Sequence, residues 1–449
     1  MDSLIKVVIL CICISPIVHY ACRYKKWYLY LCCALYTILP DSCAIELSGS
    51  LPLITFKRIM IIALCIAFIY NSKSSNRVRI PRELFLYIAI NIIVSILNMR
   101  NGFTEINSIF IMCLEQFMLV LVIKGNISDK DELFRCIDFL IYGSVVLAII
   151  SIVQTVAKID ISTVFAITEA RVSQTIPDRM NTVRAFGTTN AITNGCYCAF
   201  MLFIILFMYE QRRKIKYIVC LGINAMALFC TMTRSALLAF AIVLCVMVIV
   251  RNYQLIKIYL KYTFILLLGT IVVFLIKPTI FDSIVEVFKS ILNVIGFNIE
   301  LSEEFGANAN SASYSRLVQW SAVYYMIREG FMWLGYGYQA YSRGFLYYYF
   351  EHFGKWTKAT ALDTGYVAIA TERGIIGLAN NIIFWGSIAL SSFRNRNKKE
   401  YDFYKLTLYI VLLYVIMNVA SAFTNNELIW MYIAFFFTYR ELDYVENNS

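Results

Sequence analysis

Apolar runs close to the length that crosses a lipid bilayer alternate with short basic loops along almost the whole chain. These runs lack the two-residue alternation of barrel strands, so they predict helices, which satisfy their own backbone hydrogen bonds in lipid. The sequence therefore predicts an all-α, polytopic integral membrane protein with about twelve transmembrane helices. The predicted spans are 4–20, 27–39, 57–70, 83–98, 108–123, 136–156, 191–209, 217–232, 236–250, 263–276, 375–392, 406–422 and 428–439. Several are short for a bilayer, so the count is approximate.

The apolar runs stop once for a long interval, roughly from Lys277 to Leu362, and this gap is rich in Tyr, Phe and Trp. The interruption divides the chain into three predicted parts. An N-terminal transmembrane bundle covers 1–276 and includes a smaller outer loop at 158–190. A large extracytoplasmic loop with short helices covers 277–374. C-terminal transmembrane helices and a cytoplasmic tail cover 375–449.

Composition supports the membrane class, because 60% of the residues are hydrophobic and 15% are charged. Soluble domains carry about 25% charged residues. The net charge of +11 does not indicate a nucleic-acid partner, since Lys and Arg collect in alternate turns, as cytoplasmic loops require. This bias places the C-terminus in the cytoplasm and both long loops outside, and strict alternation places the N-terminus outside. No cleavage site follows the first apolar run, which we expect to be a span or an anchor.

Metal-ligating residues are not grouped in this sequence. Most of the 14 cysteines lie inside apolar runs, where a thiol behaves as a small hydrophobe, and there are two histidines. Neither CxxC pairs nor His clusters with the spacing of a metal site occur. The sequence therefore predicts neither a metal nor another cofactor.

Arginines in the outer segments are unexpected, because outside loops are usually poor in basic residues. Arg184 lies in the 158–190 loop, and Arg234 lies in the turn MTRSA, which leaves almost no loop between two spans. Arginine binds phosphate bidentately and keeps its charge, so these residues are candidate phosphate ligands. Two alternatives stay open: interaction with lipid headgroups, and for Arg234 pairing with a neighbouring carboxylate or carbonyl.

The large loop contains candidate sugar-binding residues. The stretch SASYSRLVQWSAVYYMI predicts a helix on which Arg316, Gln319 and Trp320 share one face. The following LGYGYQAYSR supplies glycines for a sharp turn that carries Tyr336 and Tyr338. Aromatic rings stack on sugars, but they also form belts at the membrane interface, and the sequence leaves both possibilities open.

One acid, Asp363, stands just before the next apolar run. On a helix, Asp363, Tyr366 and Arg373 would line one face at the outer end of a span. A carboxylate in that place suits acceptance of a proton from a bound hydroxyl group. The alternative is that Asp363 caps the helix that follows, which is a common role for aspartate.

Four short motifs, in this order, resemble the O-antigen polymerase and O-antigen ligase superfamily of bacterial membrane glycosyltransferases. They are RAFGTTNAITNG, TMTRSALLAF, SRLVQWSAVYYM followed by WLGYGYQAY, and DTGYVAIATERGIIGL. Together they cover roughly 184–378. Where the ligases carry a His–Asn pair this chain has Asp363 and Thr364, and the acid favours a polymerase.

The resemblance implies a donor glycan on polyprenyl diphosphate and an enzyme in the bacterial cytoplasmic membrane with its site on the outer face. Arg184, Arg234 and Arg316 would hold the diphosphate without a metal, and Asp363 would deprotonate the acceptor hydroxyl, with inversion at the anomeric carbon. Tyr366, Tyr336, Tyr338 and Arg373 would contact substrate. The implied partners are the lipid-linked donor and acceptor, the bilayer, and a chain-length regulator and flippase of the same pathway.

Two other functions remain open at this point. A ligase would use the same donor but transfer the glycan to a lipid A core or to a protein. A transporter of lipid-linked glycan would form no bond, and it would be expected to show internal repeats and charges at the membrane midplane. The charges of this chain collect instead at one face.

Overall fold

The computed structural model describes most of the helices and part of the loops. The described residues are 15–39, 44–45, 54–71, 79–99, 104–157, 178–179, 182–183, 185, 187–188, 191–250, 285–286, 289, 299–300, 318–350, 355–359, 362, 364–396, 402–421 and 427–448. The predicted span 263–276 and the site candidates Arg184, Arg316 and Asp363 lie outside the described residues.

Helices account for most of the described chain and lie where the apolar runs predict them. They are α1 Lys25–Ile38, α2 Phe56–Asn71, α3 Arg82–Asn98, α4 Thr104–Asn126, α5 Lys130–Ala157, α6 Ala191–Arg212, α7 Ile215–Cys230, α8 Arg234–Val250, α9 Ser321–Arg328, α10 Gly365–Asn395, α11 Phe403–Ala420 and α12 Glu427–Asn448. A helical stretch at 15–23 precedes α1. Within α4, Met112–Met118 is π-helical.

Local capping explains where some helices begin. The carboxylate of Asp402 accepts a hydrogen bond of 2.8 Å from the backbone N–H of Lys405, which caps α11. Before α5, Asp129 accepts from the N–H of Glu132 at 2.7 Å, while Glu132 accepts from the N–H of Ser128 at 2.8 Å. The first bond satisfies an amide group that the first helical turn leaves unpaired, and the second satisfies an amide just before the helix.

The expectation of an all-helical chain needs one addition, because the described residues include three small antiparallel strand pairs. They pair β1 Ala44–Ile45 with β2 Ile54–Thr55, β3 Asp178–Arg179 with β4 Thr182–Val183, and β5 Tyr347–Phe350 with β6 Lys355–Lys358. The β5–β6 hairpin lies in the aromatic tract of the large loop. Its Tyr349 and Trp356 are cross-strand partners with ring centroids 5.4 Å apart. Such aromatic pairs stabilise strands.

The helix bundle has two chemically different ends. At one end, ion pairs join α12 to earlier helices: Arg440 to Glu83 at 2.9 Å and Lys130 to Asp443 at 2.9 Å. At the other end, the outer segments meet the helices, as when Asn98 donates to the carbonyl of Leu334 at 2.7 Å. The basic loops predict that the first end faces the cytoplasm.

Helices of the described chain are suited to a membrane. By length and composition, α4, α5, α10 and the Ile192–Arg212 part of α6 could each cross one, and α7, α8 and α11 are shorter apolar helices. The mostly helical fold is confirmed and the four candidate spans are compatible with a membrane protein, whereas the count of about twelve spans and the three-part division stay predictions. Between the helices, buried aromatic side chains form much of the core, including Trp385 stacked on Tyr414 at 4.0 Å.

Candidate functional site

The turn that carries Arg234 is hydrogen-bonded to the segment that carries Arg184. Helix α7 ends at Cys230 and α8 begins at Arg234, so residues 231–233 alone join them. The backbone N–H of Ala185, the neighbour of Arg184, donates to the carbonyl of Cys230 at 3.0 Å. The two arginine-bearing motifs therefore form one structural unit at the end of the bundle that the loops predict to be outside.

Buried polar side chains hold this unit in place. Gln154 bonds both the N–H and the carbonyl of Gly187 at 2.8 Å. Asn194 donates to Ser151 at 2.9 Å and to the carbonyl of Ala185 at 3.3 Å. Because these buried amide side chains bind backbone groups of Ala185 and Gly187, they fix the position of the chain just after residue 184.

Close packing explains why Gly195, the last residue of the motif RAFGTTNAITNG, is a glycine. A Cβ atom on Gly195 would lie 2.7 Å from the Cβ of Thr233, so α6 could not approach the turn with a larger residue there. Thr233 and Ser235 are buried, whereas Arg234 between them is partly exposed. Ser235 also shares a hydrogen bond of 2.6 Å with Ser421, next to the end of α11. The turn is thus rigid, and Arg234 is the side chain that it leaves accessible.

The second half of the site is a loop pressed against helix α10. The N–H groups of Tyr336 and Gly337 donate to the carbonyls of Thr371 and Glu372 at 2.8 and 2.9 Å. In return, the N–H of Ile375 donates to the carbonyl of Met332 at 2.9 Å. The loop therefore pairs with the helix backbone like a short strand. Its N–H groups bind carbonyl oxygens that would accept hydrogen bonds within the helix if α10 were uninterrupted.

This pairing is possible because α10 is broken at Gly374. That residue has φ 64° and ψ −167°, a conformation that is essentially restricted to glycine. A Cβ on Gly374 would clash with the carbonyl of Trp333, and one on Gly335 would lie 2.6 Å from the carbonyl carbon of Glu372. Glycines on both sides thus allow two backbones to touch.

Two carboxylates from different helices bind successive amides of this loop. Glu105 at the start of α4 accepts from the N–H of Tyr338, and Glu372 accepts from the N–H of Gln339 at 3.0 Å. Arg343 donates to the carbonyl of Tyr336 at 2.7 Å. Burial, together with the negative charges of Glu372 and Glu115, raises the pKa of Tyr338 to about 12. The Tyr338 phenol therefore keeps its proton at neutral pH and can donate a hydrogen bond, but cannot serve as a base.

A buried ion pair within the helices extends this charged cluster. The Nε of Arg58 lies 2.5 Å from Glu115, which belongs to the π-helical part of α4, and the guanidinium lies over the ring of Phe110. Ionisable groups inside transmembrane helices often have a function, and π-helical turns are frequently found at functional sites. No local pattern in the sequence marks Glu105, Glu115, Arg58 or Arg343 as functional residues.

The segments of Arg316 and Asp363 are also joined. Gln319, three residues after Arg316, accepts from the N–H and the hydroxyl of Thr364 at 3.1 and 3.0 Å. Thr364 occupies the N-cap position of α10, since the helix begins at Gly365. Asp363 lies outside the described residues, so the alternative that it caps this helix stays a prediction.

The remaining predicted residues have different environments. Tyr336 is 6% exposed, and its ring packs on Phe331 with a centroid distance of 4.6 Å, so it offers a sugar little surface. Tyr366 and Tyr338 are partly exposed. Arg373 is partly exposed too, and it forms no ion pair within the described part of the chain. Substrate contact by these residues stays a prediction.

Replacing Gly374 by Ala should destabilise the site, because alanine is strained at positive φ and its Cβ would meet the backbone of Trp333. We expect a loss of about 1–3 kcal/mol from the backbone conformation alone, and more from the clash. The measurement is thermal unfolding of the purified protein in detergent.

Gly386→Ala is the matched control, since Gly386 lies in the same helix with no atom within 4 Å of an added Cβ. Alanine there should be neutral or stabilising, by up to about 1 kcal/mol. Equal melting temperatures for the Gly374→Ala and Gly386→Ala variants would show that the helix does not need its break.

Residues 218–382 match the family model described as O-Antigen ligase. This match supports the resemblance to the O-antigen polymerase and ligase superfamily that the motifs indicate, and it covers residues 218–382 of the 449. No curated protein matches the chain in sequence. The family implies glycosyl transfer in polysaccharide biosynthesis, and the apolar helices agree with a membrane enzyme. In the described part of the chain, no three metal-ligating side chains are grouped.

Proposed function

We propose that this protein is a membrane glycosyltransferase that polymerises oligosaccharide repeat units carried on polyprenyl diphosphate, at the outer face of the bacterial cytoplasmic membrane. The observation that carries the proposal is the hydrogen bond of 3.0 Å between Ala185 and Cys230. It supports a shared function for Arg184 and Arg234, because it ties together the two backbones that present them at the end of a bundle of apolar helices. The product is an O-antigen or a capsular polysaccharide.

In the proposed reaction, the arginines stabilise the departing group. A hydroxyl oxygen of the acceptor sugar forms a bond to the anomeric carbon of the donor glycan. The bond between that carbon and the phosphate oxygen breaks, and polyprenyl diphosphate leaves with the bonding electrons. Arg184, Arg234 and Arg316 would offset the negative charge on this group, since preorganised cations act strongly where water is excluded.

Asp363 would act as the general base and take the proton of the attacking hydroxyl. Displacement by direct attack inverts the configuration at the anomeric carbon. This role of Asp363 is supported by the next residue, Thr364, whose two hydrogen bonds to Gln319 fix the backbone immediately after the acid. The phenol of Tyr338, which stays protonated at neutral pH, can donate to a sugar oxygen.

Reconstitution tests the proposal directly. We expect the purified full-length protein in vesicles to convert a polyprenyl-diphosphate-linked repeat unit into a ladder of longer lipid-linked glycans, with neither nucleotide nor metal and in the presence of a chelator. A transfer that occurs only when lipid A core is added identifies a ligase and contradicts polymerisation. Movement of the lipid-linked unit across the vesicle without a new glycosidic bond would identify a transporter.

The orientation of the large loop gives a separate prediction. A cysteine introduced at Asn310 should react with a membrane-impermeant maleimide added to cells whose inner membrane is intact, because the basic loops place 277–374 outside. The control is a cysteine at Lys214, in an exposed turn at the opposite end, which should react only after the inner membrane is permeabilised. The reverse pattern would overturn the proposed topology.

A further inference from the structure

A cavity of about 430 Å³ opens at the end of the bundle opposite the candidate site. Its walls come from the start of α3, the end of α4, the end of α10 and the last helix α12. Four cationic side chains line it, namely Arg79, Arg82, Lys124 and Arg440, with two anionic ones, Glu83 and Glu441. The cavity therefore has an excess of positive charge.

Ion pairs inside the cavity use two of these cations. Arg440 binds Glu83 through both guanidinium nitrogens, at 2.9 and 3.3 Å, and Lys124 pairs with Glu441. Lys124 also donates to the backbone carbonyl of Arg79 at 2.6 Å, which fixes the chain at that point. Arg79 and Arg82 are exposed, and neither forms a salt bridge among the described residues, although the charge of Arg82 also acts on Glu83. Both guanidinium groups are thus reachable by a ligand.

Apolar groups stand beside these arginines. Ile80 is 46% exposed and Tyr444 is 65% exposed, and Phe437 forms part of the wall. A cationic cavity between transmembrane helices, with aromatic and aliphatic side chains at its mouth, has the chemistry of a lipid headgroup site. A free phosphate ion would gain nothing from the exposed side chain of Ile80 or from the apolar ring of Tyr444, so the arrangement favours a phosphate that carries acyl chains.

We propose that this cavity binds the phosphate group of an anionic phospholipid of the cytoplasmic leaflet, with Arg79 and Arg82 as its main ligands. The proposal does not depend on the glycosyl-transfer chemistry. It follows from the exposed arginines, the excess of positive charge, the apolar mouth and the predicted cytoplasmic location of this end of the bundle.

The test is lipid binding to the full-length protein, purified in a neutral detergent and stripped of lipid, by native mass spectrometry. We expect one tightly bound phosphatidylglycerol and weaker binding of phosphatidylcholine. The double variant Arg79→Gln/Arg82→Gln should bind phosphatidylglycerol on the order of 10-fold more weakly, because each basic side chain near an anionic headgroup contributes. Arg79→Lys/Arg82→Lys should keep much of the affinity.

Arg213→Gln/Lys214→Gln is the matched control, since it removes two exposed cations at the same end but outside the cavity. Unchanged melting temperatures of all variants show that they are folded. If the control variant and the cavity variant lost the same amount of affinity for phosphatidylglycerol, the proposal would be overturned. Displacement of the lipid by millimolar inorganic phosphate, with equal thermal stabilisation by that ion, would identify a soluble phosphate site instead.

Discussion

Replacing Asp363 by Asn should reduce the turnover of the polymerase by about 10²–10⁴-fold, which is the usual contribution of a general base. The amide has nearly the shape of the carboxylate but cannot take a proton from the acceptor hydroxyl. In the host strain, surface polysaccharide separated on a gel should then show single repeat units in place of long chains. Loss of a ligase would instead leave long chains on the lipid carrier.

Two further substitutions make this result specific. Asp363→Glu keeps a carboxylate at the same position and should retain part of the activity. Asp131→Asn is the matched control, because Asp131 is an exposed acid at the start of α5, at the opposite end of the bundle. Long chains of normal amount and length in the Asp363→Asn strain would remove Asp363 from the reaction.

Hydropathy predicts the elements whose stability comes from apolar burial. The turn around Arg234 is one case: the predicted spans end at 232 and begin at 236, and the helices end at Cys230 and begin at Arg234. Helix α12 is less well predicted, because it continues from 439 to Asn448 beyond the apolar run. Its extension is stabilised by the ion pairs of Arg440 and Asp443, which hydropathy does not measure.

Helix α10 shows why the site is harder to predict than the spans. The apolar run begins at 375, but the helix begins at Gly365 and breaks at Gly374. The break depends on contact with Gly335 and Trp333, which are far away along the chain. A glycine in an apolar helix is common, and the sequence alone does not reveal which one meets another backbone.

The buried charges are missed for the same reason. Glu105 is a single acid at the start of an apolar run and looks like an ordinary helix N-terminal residue. Its partner Tyr338 is 233 positions away, so the contact has no local sequence signal. Tyr336 is a similar case. The sequence leaves sugar binding and packing open for this residue, and only its burial and its contact with Phe331 in the fold show that the ring is enclosed.

Replacing Arg234 by Gln should lower kcat by about 10²–10³-fold, the cost of removing one group that stabilises charge in a transition state. Charge builds up on the diphosphate as its bond to the anomeric carbon breaks, so kcat should fall more than KM rises. Arg234→Lys keeps the positive charge but not the planar pair of donors, and we expect it to retain only part of the activity. The measurement is the rate of ladder formation in vesicles at several donor concentrations.

Arg135→Gln is the control for Arg234, since Arg135 is an exposed arginine on α5 toward the opposite end of the bundle. The melting temperature of the Arg234→Gln variant is measured alongside, so that a loss of catalysis is told apart from a loss of stability; Arg234 is partly exposed, while its neighbours Thr233 and Ser235 are buried. A rise in KM with unchanged kcat would mean that Arg234 binds the donor equally in the ground and transition states. Since the turn holds this arginine beside the segment of Arg184, that outcome would leave the departing diphosphate without its proposed stabilisation.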